Sequence, residues 1–340
     1  MLEKYGGWPA LLSDLCEGKN LTAEKTESVL SEILSGEADP SQISAFLVAL
    51  KVKGETTEEI TGLVRAMLNA SEPLSLPDDA VDIVGTGGST QRREAALNVS
   101  TMASFVASAS GAIVCKHGNR KASSTSGAFD LLDALGLPVE QTPIEVAEQV
   151  KKNHLGFAFA KTFHPAMRFA GPVRAGIGVP TVFNILGPLS HPGRIKRHLI
   201  GTVSSKLAIQ MAEVLLVNGS KHAWIVTGDG GVDEISVTGT TEIVELKDKK
   251  ISEWTLDPSD FGISFYPRED LKGGTPERNA EIAREIFNGR ETGARREMVL
   301  LNASAGLVVG GVVQDIGEGL ERANEAIENG AVTELLESLK

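Results

Sequence analysis

The chain has 340 residues, of which 41% are hydrophobic, 23% charged and 5% aromatic, a balance that excludes disordered, collagenous and coiled-coil proteins. Its net charge of −12 and pI near 5.1 repel polyanions, which argues against nucleic acid or an anionic membrane as main partner. Two cysteines, Cys16 and Cys115, come with no CxxC and no His-rich spacing; they support neither a disulfide framework nor a zinc site and predict a reducing, cytoplasmic setting.

The opening MLEKYGGWPALL has no basic region leading into an apolar one, so no secretory signal is expected. The first 70 or so residues read as helices. Pro9 suits a first turn, with Leu11, Leu12 and Leu15 at helical spacing. Thr22 caps a second helix carrying Val29, Leu30, Ile33 and Leu34, and Gly36 ends it. Asp39-Pro40 starts a third, with Ile43, Phe46, Leu47 and Leu50 on one face and Gly54 at its end. Thr56-Thr57-Glu58-Glu59 forms a capping box for a fourth, which bears Ile60, Leu63, Val64, Met67 and Leu68.

The stretch SEPLSLPDDA, residues 71–80, has two prolines and no periodicity, and marks a domain boundary. Beyond it, short apolar runs at 81–84, 112–115, 156–160, 199–203 and 223–227 alternate with helical stretches such as 101–110, 126–135 and 207–217. That rhythm predicts a largely parallel sheet covered on both faces. The uncharged run Leu97–Cys115 approaches a membrane span in length, yet its Asn98, Ser100, Thr101, Ser104, Ser108, Ser110 and Gly111 make it a buried helix plus strand. Runs at 241–246 and 251–256 flank Lys247-Asp248-Lys249-Lys250 as a hairpin, and helices return from Asn279. Residues 164–194 are too long and too helical for a simple crossover and are expected to rejoin the N-terminal helices. The predicted fold is therefore α/β, a small helical domain (1–72 with about 170–195) plus a larger α/β domain (78–168 and 196–340) with a mostly parallel central sheet, and a cleft between them.

Glycine is in excess, 36 of 340 residues, about 11% against roughly 7% in ordinary proteins, and the excess is clustered. Asp82-Ile83-Val84-Gly85-Thr86-Gly87-Gly88 runs from a strand into a glycine turn, with Asn98-Val99-Ser100-Thr101 opening a helix soon after. Backbone N–H groups freed there form an anion cradle, although the pattern is neither a Walker loop nor a dinucleotide fingerprint. Lys116-His117-Gly118-Asn119-Arg120-Lys121-Ala122-Ser123-Ser124 follows another strand, where open α/β sheets bind ligands; with the first cradle it points to phosphate or pyrophosphate. Asp233-Glu234, after the run 223–227, offers hard oxygen ligands of the kind Mg²⁺ takes together with substrate phosphates. Arg168 and Arg174, in the segment opened by Phe163-His164-Pro165, suit carboxylate recognition. No Ser-His-Asp order or glycosidase pair stands out, so the chemistry reads as electrostatic handling of a phosphorylated substrate.

GTGG at 85–88, NVST at 98–101, KHGNRKASSTSG at 116–127, FHPAMR at 163–168, PVR at 172–174, VFNILGPL at 182–189 and VDEIS at 232–236 together resemble the anthranilate phosphoribosyltransferase family of tryptophan biosynthesis. The resemblance extends over nearly the whole chain, including DFGI at 260–263. It implies a cytoplasmic homodimer associating through the helical domain, in which anthranilate attacks phosphoribosyl pyrophosphate while Mg²⁺-bound pyrophosphate departs. It further implies that Gly85, Gly88, Ser89, Asn98, Ser100, Thr101, Lys116 and Ser124 hold the phosphoribosyl pyrophosphate and that Ser100, Asp233 and Glu234 serve Mg²⁺. Gly85, Asn119 and Arg174 would bind anthranilate, with His117, His164 and Arg168 lining or supporting that pocket; Lys116 and Arg174 would supply the electrostatic catalysis.

The chain departs from the family pattern at Ser89, after GTGG, and at Ala96, where the family has Thr. The stretch 89–97 is three residues longer and carries Gln91-Arg92-Arg93-Glu94, and Ala128 replaces a frequent Ser. Altered pyrophosphate or metal affinity with retained activity is expected from these changes; deletion of the insertion without any change in the substrate's KM would contradict it. The alternatives are a relative on the same fold with another acceptor, a pyrimidine nucleoside phosphorylase, and a non-catalytic binding paralogue. Asn119 and the Arg174 segment favour the anthranilate reading, and Asp233, Glu234, Lys116 and Asn119 weigh against a silent copy.

Overall fold

The computed structural model describes residues 2–87, 96–121 and 125–340. Four helices open the chain: α1 (Gly7–Cys16), α2 (Ala23–Ser35), α3 (Pro40–Lys53) and α4 (Thr57–Asn69). Their starts follow the expected caps. Thr22 Oγ1 accepts from Lys25 N–H at 3.3 Å, and Thr56 and Glu59 form a reciprocal box, with Glu59 Oε2 accepting Thr56 N–H at 2.8 Å and Thr56 Oγ1 accepting Glu59 N–H at 3.2 Å. Glu59 also accepts the N–H of Leu21 at 2.8 Å and pairs with Lys53 at 2.9 Å. This fully buried carboxylate therefore ties the start of α4 to the end of α3 and to the α1–α2 connection, its charge compensated by a cation and several donors.

The rest of the chain alternates strands and helices: β1 (Val81–Gly85), α5 (Val99–Ala109), β2 (Val114–Gly118), α6 (Ala128–Leu135), α7 (Pro143–Asn153), β3 (Leu155–Phe159), α8 (Ala160–Phe163), α9 (Gly171–Ile177), α10 (Phe183–Leu189), β4 (Arg197–Gly201), α11 (Ser205–Val217), β5 (His222–Gly228), β6 (Thr241–Lys247) and β7 (Lys250–Leu256). Four helices close it: α12 (Pro276–Phe287), α13 (Ala294–Gly310), α14 (Ile316–Glu328) and α15 (Ala331–Ser338). The seven strands form one sheet in the order β3-β2-β1-β4-β5-β6-β7. The pairs from β3 through to β5 are parallel, and β5-β6-β7 is antiparallel. The β6–β7 connection is Asp248-Lys249, both at positive φ (50° and 62°), the two-residue geometry whose twist matches the flanking strands.

Two expected strands end earlier than their apolar runs. The run 199–203 becomes β4 at Arg197–Gly201, because it is matched residue for residue to β1, which stops at Gly85. The run 156–160 becomes Leu155–Phe159, and Ala160 instead opens α8. The helix expected from residue 126 begins at Ala128, because Ser126 bonds through its hydroxyl and carbonyl to Asn98 and Gly127, extended at φ −93° and ψ 172°, is the cap whose N–H Asp130 accepts.

Alternate residues of the central strands point to opposite faces. Ile83, Leu199, Trp224 and Ile243 join the apolar cluster built on α5, α12 and α13. Ile200, Ala223, Ile225 and Val244 join a second cluster, which runs through Ala208, Met211 and Leu215 of α11 into α2, α3 and α4. Ala170, Val182, Phe183, Ile185, Leu186 and Leu189 belong to that second cluster, so the 164–194 segment does pack with the N-terminal helices. Each large side chain fully buried in this way contributes roughly 1.5–3 kcal/mol of transfer free energy. Among the described residues no helix is long and apolar enough to cross a membrane.

Candidate active site

β1 has β2 on one side and β4 on the other, so the chain turns away from β1 in opposite directions and opens a crevice beyond the carboxyl ends of β1 and β4, where open α/β sheets take ligands. Gly85 and Gly201 end those two strands and are register partners. Asp233 fills the crevice between them. A Cβ on Gly201 would lie 1.7 Å from the Asp233 carbonyl oxygen, and one on Gly85 2.6 Å from Asp233 Oδ2; only glycine leaves room for the loop. Asp233 Oδ2 accepts the N–H of Gly87 at 2.9 Å. Beside it, Glu234 Oε1 faces Ser100 N–H, in the first turn of α5, at 3.4 Å. Both carboxylates are buried.

Lys116 approaches from β2. It is 2% exposed, and its Nζ donates to the Ile83 carbonyl at 2.5 Å and to Ser100 Oγ at 3.3 Å. Asp82 lies behind it on β1, where Oδ1 accepts His117 N–H at 3.0 Å. Burial pushes the Asp82 carboxyl up to about 7, against the pull of Lys116 and the His117 N–H. Asn98, at the start of α5, accepts from Ser126 Oγ at 2.8 Å and from Asn279 Nδ2 at 2.8 Å; Asn279 Nδ2 also donates to the Ala96 carbonyl at 2.7 Å. Thr101 is buried in the same first turn.

Three histidines pack beside this group. The His117 ring lies 5.1 Å from that of His164 and 5.7 Å from that of His191. His191 Nδ1 accepts from Gly193 N–H at 3.0 Å and its Nε2 donates to the Cys115 carbonyl at 3.0 Å, which defines a neutral ring protonated on Nε2. Burial lowers His164 to about 4 and His191 to about 3, and holds His117 well below the ordinary range, with the neighbouring histidines adding to the effect. Nε2 of His117 and Nε2 of His164 are buried without a hydrogen-bond partner among the described residues. Arg174 on α9 lays its guanidinium 5.0 Å from the Phe183 ring centre, and Arg168 packs similarly on Phe169. Asn119 Oδ1 accepts the N–H of Arg120 at 2.8 Å, so that side chain turns back onto its own loop.

The structure thus brings Ser100, Lys116 and Glu234 into one hydrogen-bonded group, with Asp233 next to Glu234 in the chain and packed against Gly85, and Asn98 at the start of the same helix α5 as Ser100. His117 and His164 form a neighbouring ring pair. Asn119 and Arg174 bond to none of these among the described residues. Gly88, Ser89, Ser124 and the insertion Gln91-Arg92-Arg93-Glu94 lie outside the described residues. The basic residues of the segment 116–121 take different places. Arg120 pairs with Asp133 and, at 3.6 Å, with Asp130 of α6, and Lys121 is exposed, so Lys116 is the cation of that segment that enters the site.

His191, Gly201, Asn279 and Asn302 carry no role in the sequence reading, and Asp82 enters it only as the first residue of the strand and glycine turn. Asn302 Nδ2 donates to the Ile235 carbonyl at 2.8 Å while its Oδ1 accepts Ile235 N–H at 3.0 Å. Its signal in the sequence is a lone amide within the apolar run VLLNASAGLVV of α13.

The chain matches two family models, described as the glycosyl transferase family helical bundle domain over residues 9–71 and the glycosyl transferase family a/b domain over residues 77–333. The fold is similar to the anthranilate phosphoribosyltransferase of Thermus thermophilus, with a TM-score of 0.90 and 39% identity, covering 96% of this chain and 97% of that one. It is also similar to the Saccharomyces cerevisiae enzyme solved with PRPP and Mg, at a TM-score of 0.89 and 29% identity over 98% and 96% of the two chains. A further structure of that yeast enzyme holds 4-fluoroanthranilate, at a TM-score of 0.86 and 29% identity over 98% and 97%. The Rhodococcus jostii enzyme of the same name is 44% identical over 335 residues, 97% of this chain and 91% of that protein. Likeness of this degree over both the helical and the α/β parts makes the chain a member of the anthranilate phosphoribosyltransferase family.

Proposed function

We propose that the chain transfers the phosphoribosyl group of phosphoribosyl pyrophosphate to anthranilate, giving N-(5-phosphoribosyl)anthranilate and pyrophosphate, a step of tryptophan biosynthesis. The observation that carries this reading is the convergence of Asp233, Glu234, Ser100 and Lys116 on the glycine-walled ends of β1 and β4.

Two carboxylates and a hydroxyl are hard oxygen donors that suit Mg²⁺ and leave positions for substrate phosphate oxygens. Among the described residues no three His, Cys, Asp or Glu side chains gather as a self-sufficient metal centre, and a donor set of this kind is completed by the substrate. Asp233 and Glu234 would hold the Mg²⁺, with Ser100 beside them, and the bound ion would supply positive charge against the negative charge developing on the departing pyrophosphate. Lys116 adds a buried positive charge toward the same oxygens, where low dielectric makes it most effective. Gly85, Gly88, Ser89, Asn98, Thr101 and Ser124 complete the phosphoribosyl pyrophosphate contacts.

Anthranilate then takes the His117–His164 side, oriented by Asn119, Gly85 and the guanidinium of Arg174, with Arg168 in support. In this reading the Nε2 atoms of His117 and His164, which have no hydrogen-bond partner among the described residues, are available to the acceptor, and neutral rings spare the amine a repelling charge. As the amine nitrogen bonds to the anomeric carbon, the carbon–oxygen bond to pyrophosphate breaks, its electron pair leaves with the pyrophosphate, and one of the two amine protons is released to the departing pyrophosphate or to water. Alignment in the cleft supplies the entropic part of the acceleration.

In the same reading, residues 1–72 with about 170–195 form the helical domain and 78–168 with 196–340 the substrate-binding domain, and two copies associate through the helical part as a cytoplasmic homodimer. The exposed Val48 and Val52 of α3 (44% and 82% accessible) support that association. Mixing the protein with anthranilate, phosphoribosyl pyrophosphate and Mg²⁺ and following anthranilate fluorescence tests the activity. A loss that requires the metal is expected; no loss, with phosphoribosyl pyrophosphate still binding by calorimetry, would assign the site to another acceptor.

A further inference from the structure

We infer that Asn302 is the positioning residue of the Asp233–Glu234 loop, setting the carboxylates for the divalent cation without touching substrate; this rests on the assignment of that loop to the metal. The loop lies between β5 and β6, where Ile235 is buried and outside the sheet's ladder. Buried backbone groups require partners, and one side chain supplies both for Ile235. Asn302 Oδ1 accepts its N–H at 3.0 Å and Asn302 Nδ2 donates to its carbonyl at 2.8 Å, as a neighbouring strand would. The second hydrogen of the same amide goes to the Met298 carbonyl at 2.8 Å, which locks the rotamer against α13. Asn302 is itself 3% exposed.

The Ile235 N–H belongs to the peptide that begins at the Glu234 carbonyl. Holding that peptide holds the backbone rotation of Glu234, and with it the direction in which the carboxylate leaves the chain. On the other side the loop is pressed against two strand ends: a Cβ on Gly201 would meet the Asp233 carbonyl at 1.7 Å and one on Gly228 the Glu234 carbonyl at 2.4 Å. α13 packs on β1, β4 and α5, the elements that carry Gly85, Gly201 and Ser100. Asn302 therefore registers the two carboxylates to the hydroxyl and the glycines through one rigid body. A displacement of about 1 Å at such a site is enough to matter for catalysis. Aspartate keeps an acceptor but loses both donors, leucine removes all three bonds, and serine keeps a single short hydroxyl.

The test compares Asn302→Asp, Asn302→Leu and Asn302→Ser with Ser304→Ala, a change on the same buried helix that removes a hydroxyl bond to Leu300 away from the loop. Mn²⁺ binding in the presence of phosphoribosyl pyrophosphate is followed by electron paramagnetic resonance, alongside the Mg²⁺ dependence of turnover, the KM for anthranilate and the Tm. The Asn302 variants that fold are expected to bind Mn²⁺ at least tenfold more weakly and to need correspondingly more Mg²⁺, with the anthranilate KM within threefold of the parent and Ser304→Ala unchanged in metal binding. Mn²⁺ titrations that superimpose on the parent's, with only Tm lowered as in Ser304→Ala, overturn the role of Asn302. Failure of all three Asn302 variants to fold while Ser304→Ala folds would make the residue structural and equally overturn it. A parent chain that binds no Mn²⁺ with phosphoribosyl pyrophosphate overturns the metal assignment itself.

Discussion

Two loops at the same end of the sheet carry clustered charge and meet opposite fates. Asp233 and Glu234 are drawn under the surface, wedged between Gly85, Gly201 and α5, with backbone N–H groups as partners. In the loop after β2, Arg120 pairs with the carboxylates of α6 at the periphery, and only Lys116, still within the strand, is turned inward. Charge density along the chain is similar in the two, yet only buried charge works in low dielectric, where an interaction with a phosphate is not screened away. Exposed pairs such as Arg120–Asp133 contribute little.

The largest test of that contrast is collective. His164, His191 and His198 are held by burial at about 4, 3 and 4, below the free imidazole value. Between those values and about 6.5 the unfolded chain binds more protons than the folded one, so stability falls as the pH drops. Asp82, raised to about 7, has the opposite sign between about 4 and 7, and being one group against three it offsets only part. Unfolding free energies from urea titrations between pH 7.5 and 4 are expected to decline by on the order of several kcal/mol; a flat profile would mean these rings are not buried neutral.

Lys116→Met comes next. With the inward cation replaced by an apolar chain of similar length, kcat is expected to fall roughly 10²–10³-fold with circular dichroism unchanged. Gly201→Ala forces a methyl into the Asp233 carbonyl and is expected to cost about 1–3 kcal/mol in chemical denaturation, with a higher Mg²⁺ concentration needed for half-maximal activity. The smallest effect belongs to Arg120→Ala: less than about 1 kcal/mol of stability, and a turnover within threefold of the parent. A large loss there would erase the distinction between the two loops.

Local chemistry made much of the fold legible. Thr22 and Thr56 cap helices through their own side chains, Gly36 ends one at φ 80°, and alternation of apolar runs with helical periods implied a covered parallel sheet. These signals act over a few residues, so they survive in a linear reading. Strand ends were less legible, because Gly201 closes β4 by its register with β1 and by the presence of Asp233, neither of which is local to 199–203.

For the site, the residue types and their loops were readable: glycine after a strand, lysine in a strand, adjacent acids after another. Direction was not. Whether Lys116 or Arg120 faces the crevice depends on where β2 stops, and α6 supplies the acids that hold Arg120 outside. The supporting amides were less accessible still. Asn302 reaches back 67 residues to Ile235 and Asn279 reaches back 181 residues to Asn98. In sequence Asn279 is one of several polar residues of α12, and Asn302 is a single amide in the apolar run of α13. The amino-acid sequence by itself determined the helices, the strands and the chemical inventory of the site, since propensity, capping and hydrophobic period are properties of neighbours. Only the tertiary structure decided which charges are buried together and which backbone groups need a side-chain partner, because those follow from the packing of segments distant in the chain.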